Sequence, residues 1–129
     1  MDPSHIDIGR HGEDAAVRWL ESRGWTIHAR GARIAGVEVD VVAEDPHARA
    51  LVVVEVKARD AAHGTARTSA RPEENVNRAK LARLARAAHA LEPHARQRAL
   101  SIRVDVIAVR LGRAGAHADR IDHFPDATG

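Results

Sequence analysis

Cysteine and tyrosine are absent from this chain of 129 residues, and only Trp19, Trp25 and Phe124 are aromatic. Without cysteine there are no disulfides, no thiolate zinc sites and no cysteine nucleophile. Three aromatic side chains are too few for the base-stacking platform of an RNA-recognition motif or a single-strand-binding OB-fold. Any nucleic acid would therefore be held mainly through its backbone. A run of about 18 apolar residues is also missing, and the opening Met1-Asp2-Pro3-Ser4-His5 lacks the basic and apolar regions of a signal peptide. No membrane association is expected, and the cytoplasm is the default compartment. The nine histidines are scattered, with no i, i+4 helical pair of the kind that holds zinc. Gly9, Gly12 and Gly24 do not form a phosphate loop behind a strand, and no serine sits in a nucleophile elbow.

What is present is an uneven distribution of charge. Residues 1–56 carry six Lys/Arg against ten Asp/Glu, residues 57–113 carry thirteen against five, and residues 114–129 carry one against three. The net charges of −4, +8 and −2 place an acidic half before a basic one in a chain long enough for one domain, residues 1–129. An acidic metal pocket beside a phosphate-binding surface has this pattern. So does a composition that merely places arginine on solvated faces.

Residues 13–23 read as a helix stopped by Gly24, with Glu13 on the face of Ala16, Val17 and Leu20. Residues 25–30 have strand composition. The segments Val37-Glu38-Val39-Asp40-Val41-Val42 and Leu51-Val52-Val53-Val54-Glu55-Val56-Lys57 read as an antiparallel hairpin around Glu44–Arg49. Residues 58–71 read as a mobile loop. Pro72 and Glu73 open a helix striped by Leu81, Leu84, Ala88 and Leu91 and flanked by Arg78, Lys80, Arg83 and Arg86, which Pro93 ends. Ile102–Val109 is the last strand, with Arg103 and Asp105 read as a cross-strand ion pair, and residues 112–129 read as a polar tail. The order helix, three strands, helix, strand predicts an α/β domain with a mixed sheet flanked by helices.

The chemistry concentrates in the hairpin. Period-two alternation turns Glu55 and Lys57 to one face of an otherwise apolar strand, where unpartnered charge is costly. Asp40 on the neighbouring strand adds a second hard oxygen ligand. One or two Mg²⁺ ions held by Asp40 and Glu55 could serve phosphodiester hydrolysis, with Lys57 orienting or deprotonating water and Glu13 as an outer ligand. Glu38 shares the face of Asp40 and reads as an auxiliary ligand or as a structural partner for a nearby arginine. The bland alternative is an ordinary Glu55–Lys57 ion pair on a solvated face, worth about 0–1 kcal/mol.

Taken in order, Gly9-Arg10-His11-Gly12-Glu13-Asp14-Ala15-Ala16, Trp19-Leu20, Gly24-Trp25, Glu38-Val39-Asp40, Val54-Glu55-Val56-Lys57-Ala58-Arg59, Lys80-Leu81-Ala82-Arg83-Leu84 and Arg103–Val109 resemble the YraN family of small bacterial proteins. The resemblance implies a restriction-endonuclease-like α-β-β-β-α-β core of the PD-(D/E)xK kind, similar to archaeal Holliday-junction resolvases. It puts Asp40, Glu55 and Lys57 in the motif positions and Glu13 on the first helix. The chain departs from the family pattern at Val37, Gly31 and Ala58, where the family has Gly, Asn and Thr.

The expectation is a Mg²⁺-dependent endonuclease, with Mn²⁺ as substitute, acting on DNA, with branched or damaged DNA as one candidate substrate. Its catalytic residues are Glu13, Asp40, Glu55 and Lys57, and Arg59, Arg78, Lys80 and Arg83 contact nucleic acid. Paired nicking of a junction would require a homodimer. The alternative is a DNA-binding or adaptor protein that keeps the fold without the activity.

Overall fold

The structure is a computed structural model that describes residues 3–60, 77–112 and 117–128. Its elements run α1 (Pro3–Ser22), β1 (Thr26–Ile34), β2 (Val37–Asp45), β3 (Ala50–Asp60), α2 (Arg78–Ala90), α3 (Glu92–Gln97), β4 (Ser101–Leu111) and β5 (Ala118–Phe124). The five strands form one mixed sheet in the order β1-β2-β3-β4-β5. β1, β2 and β3 are antiparallel neighbours, β4 is parallel to β3, and β5 is antiparallel to β4. The parallel β3–β4 step requires a crossover, and α2 and α3 lie in it. The result is α/β, a mixed sheet flanked by helices, consistent with a restriction-endonuclease-like core.

The sheet has a core on each face, which explains why β3 reads as a nearly unbroken valine run. On one face, Ala16, Leu20 and Trp25 pack over Val41, Val52, Val54, Ile107 and Val109. On the other, Leu84, Ala87 and Ala95 pack over Val39, Val42, Val53, Val104 and Val106. β1 and β2 join through Ala35 and Gly36, both at positive φ (50° and 77°), as a two-residue hairpin with native strand twist demands. At the β2–β3 turn, Asp45 Oδ1 accepts hydrogen bonds from the backbone N–H groups of His47 (2.9 Å) and Ala48 (3.3 Å).

Several expectations shift. The first helix is longer than residues 13–23, because it starts at Pro3. Residues 58–60 continue β3; the rest of the expected loop, and the expected helix start at Pro72 and Glu73, lie outside the described residues. α2 begins instead behind Asn77, whose side chain accepts the Lys80 N–H at 2.8 Å. Pro93 sits in the first turn of α3, so it opens that helix as well as following α2. The segment read as a polar tail contributes β5, whose Phe124 and Ile121 pack on opposite core clusters. Its alternation is diluted by Asp119, Arg120 and Asp122, which masks a strand that is the edge of the sheet among the described residues.

Arg103 and Asp105 are also not a cross-strand pair. They lie on the same strand, and Asp105 is fully buried. Its carboxylate accepts Arg103 Nε (2.8 Å) and Nη2 (2.9 Å) and the Asp126 N–H (3.0 Å), and it lies 2.7 Å from His123 Nε2. Arg103 Nη2 also reaches Asp45 across the sheet at 3.0 Å. Trp25 lies against both Arg103 and His123. Burial pushes Asp105 up, but the hydrogen bonds from His123, Arg103 and Asp126 outweigh it and hold the carboxyl below the ordinary range.

Candidate active site

β2 leaves β3 at Asp40. The β2–β3 register runs from Asp45↔Ala50 to Val41↔Val54 and stops there, while Val37–Val39 remain paired with β1. Val39 packs in the α2-side cluster and Val41 in the α1-side cluster, although residues two apart share a face in a regular strand. The strand therefore twists at Asp40. The Val56 N–H, just past the end of the ladder, donates to Asp40 Oδ2 at 2.8 Å. A side-chain carboxylate thus replaces a ladder carbonyl and is pinned against β3 beside Glu55.

Glu55 is only 5% exposed. Burial and the neighbouring Asp40 carboxylate push its carboxyl up to about 7, and Lys80 and Lys57 pull the other way. Lys80 Nζ, carried by the first turn of α2, stands 3.8 Å from Glu55 Oε2. Lys80 was expected to contact nucleic acid; the structure brings it to the acidic pair. The solvated Glu55–Lys57 ion pair of the bland reading does not describe a carboxylate this buried. Above Asp40 lies a cleft of about 400 Å³ lined by Ile8, Gly9 and Glu13 of α1, Asp40 of β2, and Val56, Lys57 and Ala58 of β3. Glu13, Asp40 and Lys57 thus line one cleft from α1, β2 and β3, and Glu55 lies buried next to Asp40 behind it. Glu38 does not join them: it is exposed and does not line the cleft. Arg59, Arg78 and Arg83 are exposed.

Two further residues shape the cleft. Arg30 of β1 donates from Nε to Glu13 Oε1 (3.0 Å) and from Nη2 to Asp14 Oδ1 (2.6 Å). Its hydrogen bond holds Asp14 below the ordinary carboxylate range. No local signal in the sequence links residues seventeen apart in this way. Gly12 is the other. A Cβ there would overlap the Ala58 Cβ, so the glycine lets α1 approach β3 next to Lys57 and carries Glu13 into the cleft. A glycine inside a helical pattern is a signal that could have been read, because it costs about 1 kcal/mol relative to alanine. Gly12→Ala is accordingly expected to reverse the usual helix gain and lower stability by about 1–3 kcal/mol through overpacking. Urea unfolding would measure it, and a stabilised variant would show that the helix does not need this close approach.

The donor set suits a hard divalent cation. Mg²⁺ keeps several waters and is commonly held by one or two carboxylates together with substrate phosphate. Asp40 and Glu55 are two adjacent oxygen donors, and burial together with the neighbouring Asp40 carboxylate holds the Glu55 carboxyl up. Among the described residues no three His, Asp or Glu side chains converge as a fuller cage. No helix among them is long and apolar enough to cross a membrane.

The profile of "Uncharacterised protein family UPF0102" matches residues 12–109, which span α1 from Gly12, the site residues Glu13, Asp40, Glu55 and Lys57, and β4 as far as Val109. A UPF0102 protein of Mycobacterium sp. (strain KMS) is 44% identical over 108 residues, covering 82% of this chain and 75% of the relative. One of Beutenbergia cavernae is 44% identical over 119 residues, 91% of this chain and 92% of the relative. One of Syntrophotalea carbinolica is 39% identical over 128 residues, 98% and 95%. The match thus runs through every element that builds the cleft, and the chain belongs to the UPF0102 family, the YraN family that its residue pattern resembles.

Proposed function

We propose that this protein is a Mg²⁺-dependent endonuclease that hydrolyses phosphodiester bonds in DNA. The observation that carries the reading is the Asp40–Glu55 carboxylate pair, with Glu55 buried and Asp40 half-buried at the cleft, set beside Lys57 where β2 parts from β3. Two like charges held together out of water are expensive to keep unless a cation shares them. Asp40 and Glu55 would hold the metal, and Mn²⁺ would substitute for Mg²⁺. When bound, the metal supplies charge stabilisation at the phosphate and a more acidic water.

The chain's own groups do the rest. The Val56 N–H fixes the Asp40 carboxylate, and Lys57 offers a cation to a phosphate oxygen or orients the attacking water. Glu13, steadied by Arg30, faces the same cleft and can accept a proton from water there. Branched or damaged duplexes are the substrates to screen first.

Calorimetric titration of Mg²⁺ and Mn²⁺ into the wild type and Asp40→Asn tests the site directly. Saturable binding is expected in the wild type and its loss in the variant. Because the Glu55 carboxyl lies at about 7, its ionised form grows in as pH rises through that value. Metal binding is therefore expected to be stronger at pH 8 than at pH 6. Binding that persists unchanged in Asp40→Asn would sink the site. Absence of binding even with DNA present would favour the adaptor reading, in which salt-sensitive DNA binding survives loss of Asp40.

A further inference from the structure

Three arginines stand in register across three neighbouring strands. Arg59 of β3 is the partner of Arg110 of β4, and Arg110 is the partner of Arg120 of β5. Strand alternation puts all three on the α2 side of the sheet. Arg59 follows the parity of Val53, Glu55 and Lys57, Arg110 that of Val104 and Val106, and Arg120 that of Phe124, and Val53, Val104, Val106 and Phe124 all belong to the α2-side cluster. The row is exposed at all three positions. It lies one step beyond Lys57 along β3, since Lys57 pairs with Ala108 and Ala108 with Asp122.

Like charges directly opposite one another on adjacent strands are unfavourable, and neighbouring strands are only about 4.8 Å apart. Among the described residues, Asp122 meets the row, accepting Arg120 Nε at 2.8 Å. Among the described residues no carboxylate pairs with Arg110. Three guanidinium groups stand against one carboxylate among the described residues, a local excess of positive charge, and a guanidinium fork matches phosphate oxygens bidentately.

Building on the nuclease reading, we infer that Arg59, Arg110 and Arg120 form a phosphate-binding row that carries the nucleic-acid backbone from Lys57, the cleft residue on the row's own face, across the end of the sheet to β5. The row takes its register from the same strand that bears Glu55 and Lys57, so a backbone gripped along it is held at a constant offset from the acidic pair. It reads no base, in keeping with the shortage of aromatic side chains.

The test is the Arg110→Gln/Arg120→Gln double variant of the full chain, binding a fluorescent duplex DNA in EDTA so that nothing is cut. Arg18→Gln/Arg33→Gln, two exposed arginines elsewhere, serves as the control of equal charge. The row variant is expected to lose affinity roughly tenfold and to show a salt slope shallower by about two, while the control changes far less. Its thermal midpoint is expected to hold or rise, because a like-charge contact has been removed. Equal losses in both variants, no loss in either, or a lower midpoint in the row variant would overturn the inference. Binding to anionic lipid vesicles but not to DNA, lost in the same variant, would overturn it in favour of a membrane surface. Failure here is separable from failure of the nuclease reading. A wild type that cuts DNA with the row variant binding normally removes only the row, whereas a wild type that binds DNA through the row without metal or cleavage removes only the activity.

Discussion

Lys57→Ala is expected to lower the single-turnover rate of metal-dependent DNA cleavage by about 10²–10⁴-fold, the usual range for a positioned proton-transfer group. Asp40→Asn is expected to leave no measurable cleavage. Both follow from the parting of β2 and β3. Lys57 lies on the cleft wall two residues after Glu55, and its ammonium is among the charges that act on that carboxylate. Removing it takes away a cation where negative charge builds at phosphorus, but it takes little apolar packing with it. Asp40 is the more severe loss, because its carboxylate both pairs with Glu55 and accepts the Val56 N–H. Asparagine keeps an acceptor oxygen for that N–H and gives up the charge, which separates chemistry from folding. The measurement is a time course on labelled duplex and branched DNA under enzyme excess, with thermal midpoints taken alongside. Normal cutting by both variants would sink the mechanism; loss of cutting with a collapsed midpoint would mean only that the hairpin had come apart.

Asp105→Ala carries the largest expected effect on stability. Its carboxylate is fully buried, with two contacts from Arg103, one from His123 and one from the Asp126 N–H. Truncating one member of such a cluster strands the others, a loss of about 3–5 kcal/mol. That is a large part of the roughly 5–15 kcal/mol that a domain of this kind has in total. A fall in thermal midpoint of roughly 10–20 °C is expected, compared with little change for Asp122→Ala at an exposed ion pair. The network also predicts the direction of acid sensitivity. Asp105 and Asp45 sit below the ordinary range in the fold, so their contribution is present above the unfolded value and lost as pH falls through the folded one. Glu55 runs the other way. Its raised carboxyl favours the fold at low pH, and that contribution is lost as pH rises through about 7. A chain in which Asp105→Ala changed stability by less than about 1 kcal/mol would show that Asp45 alone satisfies Arg103.

Much of the architecture was legible because local patterns reported it. The valine run of β3 signalled a strand buried on both faces, the leucine stripe at 81, 84 and 91 signalled α2, and the turn after Asp45 signalled the hairpin. What escaped had no local carrier. β5 alternates weakly because its edge position tolerates charge on most residues. The Arg103–Asp105 pair looked like an ordinary cross-strand ion pair because two residues cannot reveal that Trp25, His123 and Asp126 close over them. Of the cleft, Asp40, Glu55, Lys57 and Glu13 were picked out by residue type and by a resemblance, whereas Arg30 and the turn of Lys80 towards Glu55 were not.

By itself the sequence determined which chemistry was available. With no cysteine, few aromatics and two acidic residues beside a lysine on adjacent strands, it left hard-cation and phosphate chemistry as the strongest reading. Hydrophobic periodicity, a short-range property, was enough to set the type of the two long helices and the first four strands and the pairing of β2 with β3. Only the tertiary structure decided that Asp40 is pinned by Val56, that Glu55 is buried against Lys80, and that Arg59, Arg110 and Arg120 align. The reason is physical. Proton affinity, desolvation and like-charge contact depend on which distant groups share a few ångströms of low-dielectric space, and that distance is fixed by how the strands cross and twist.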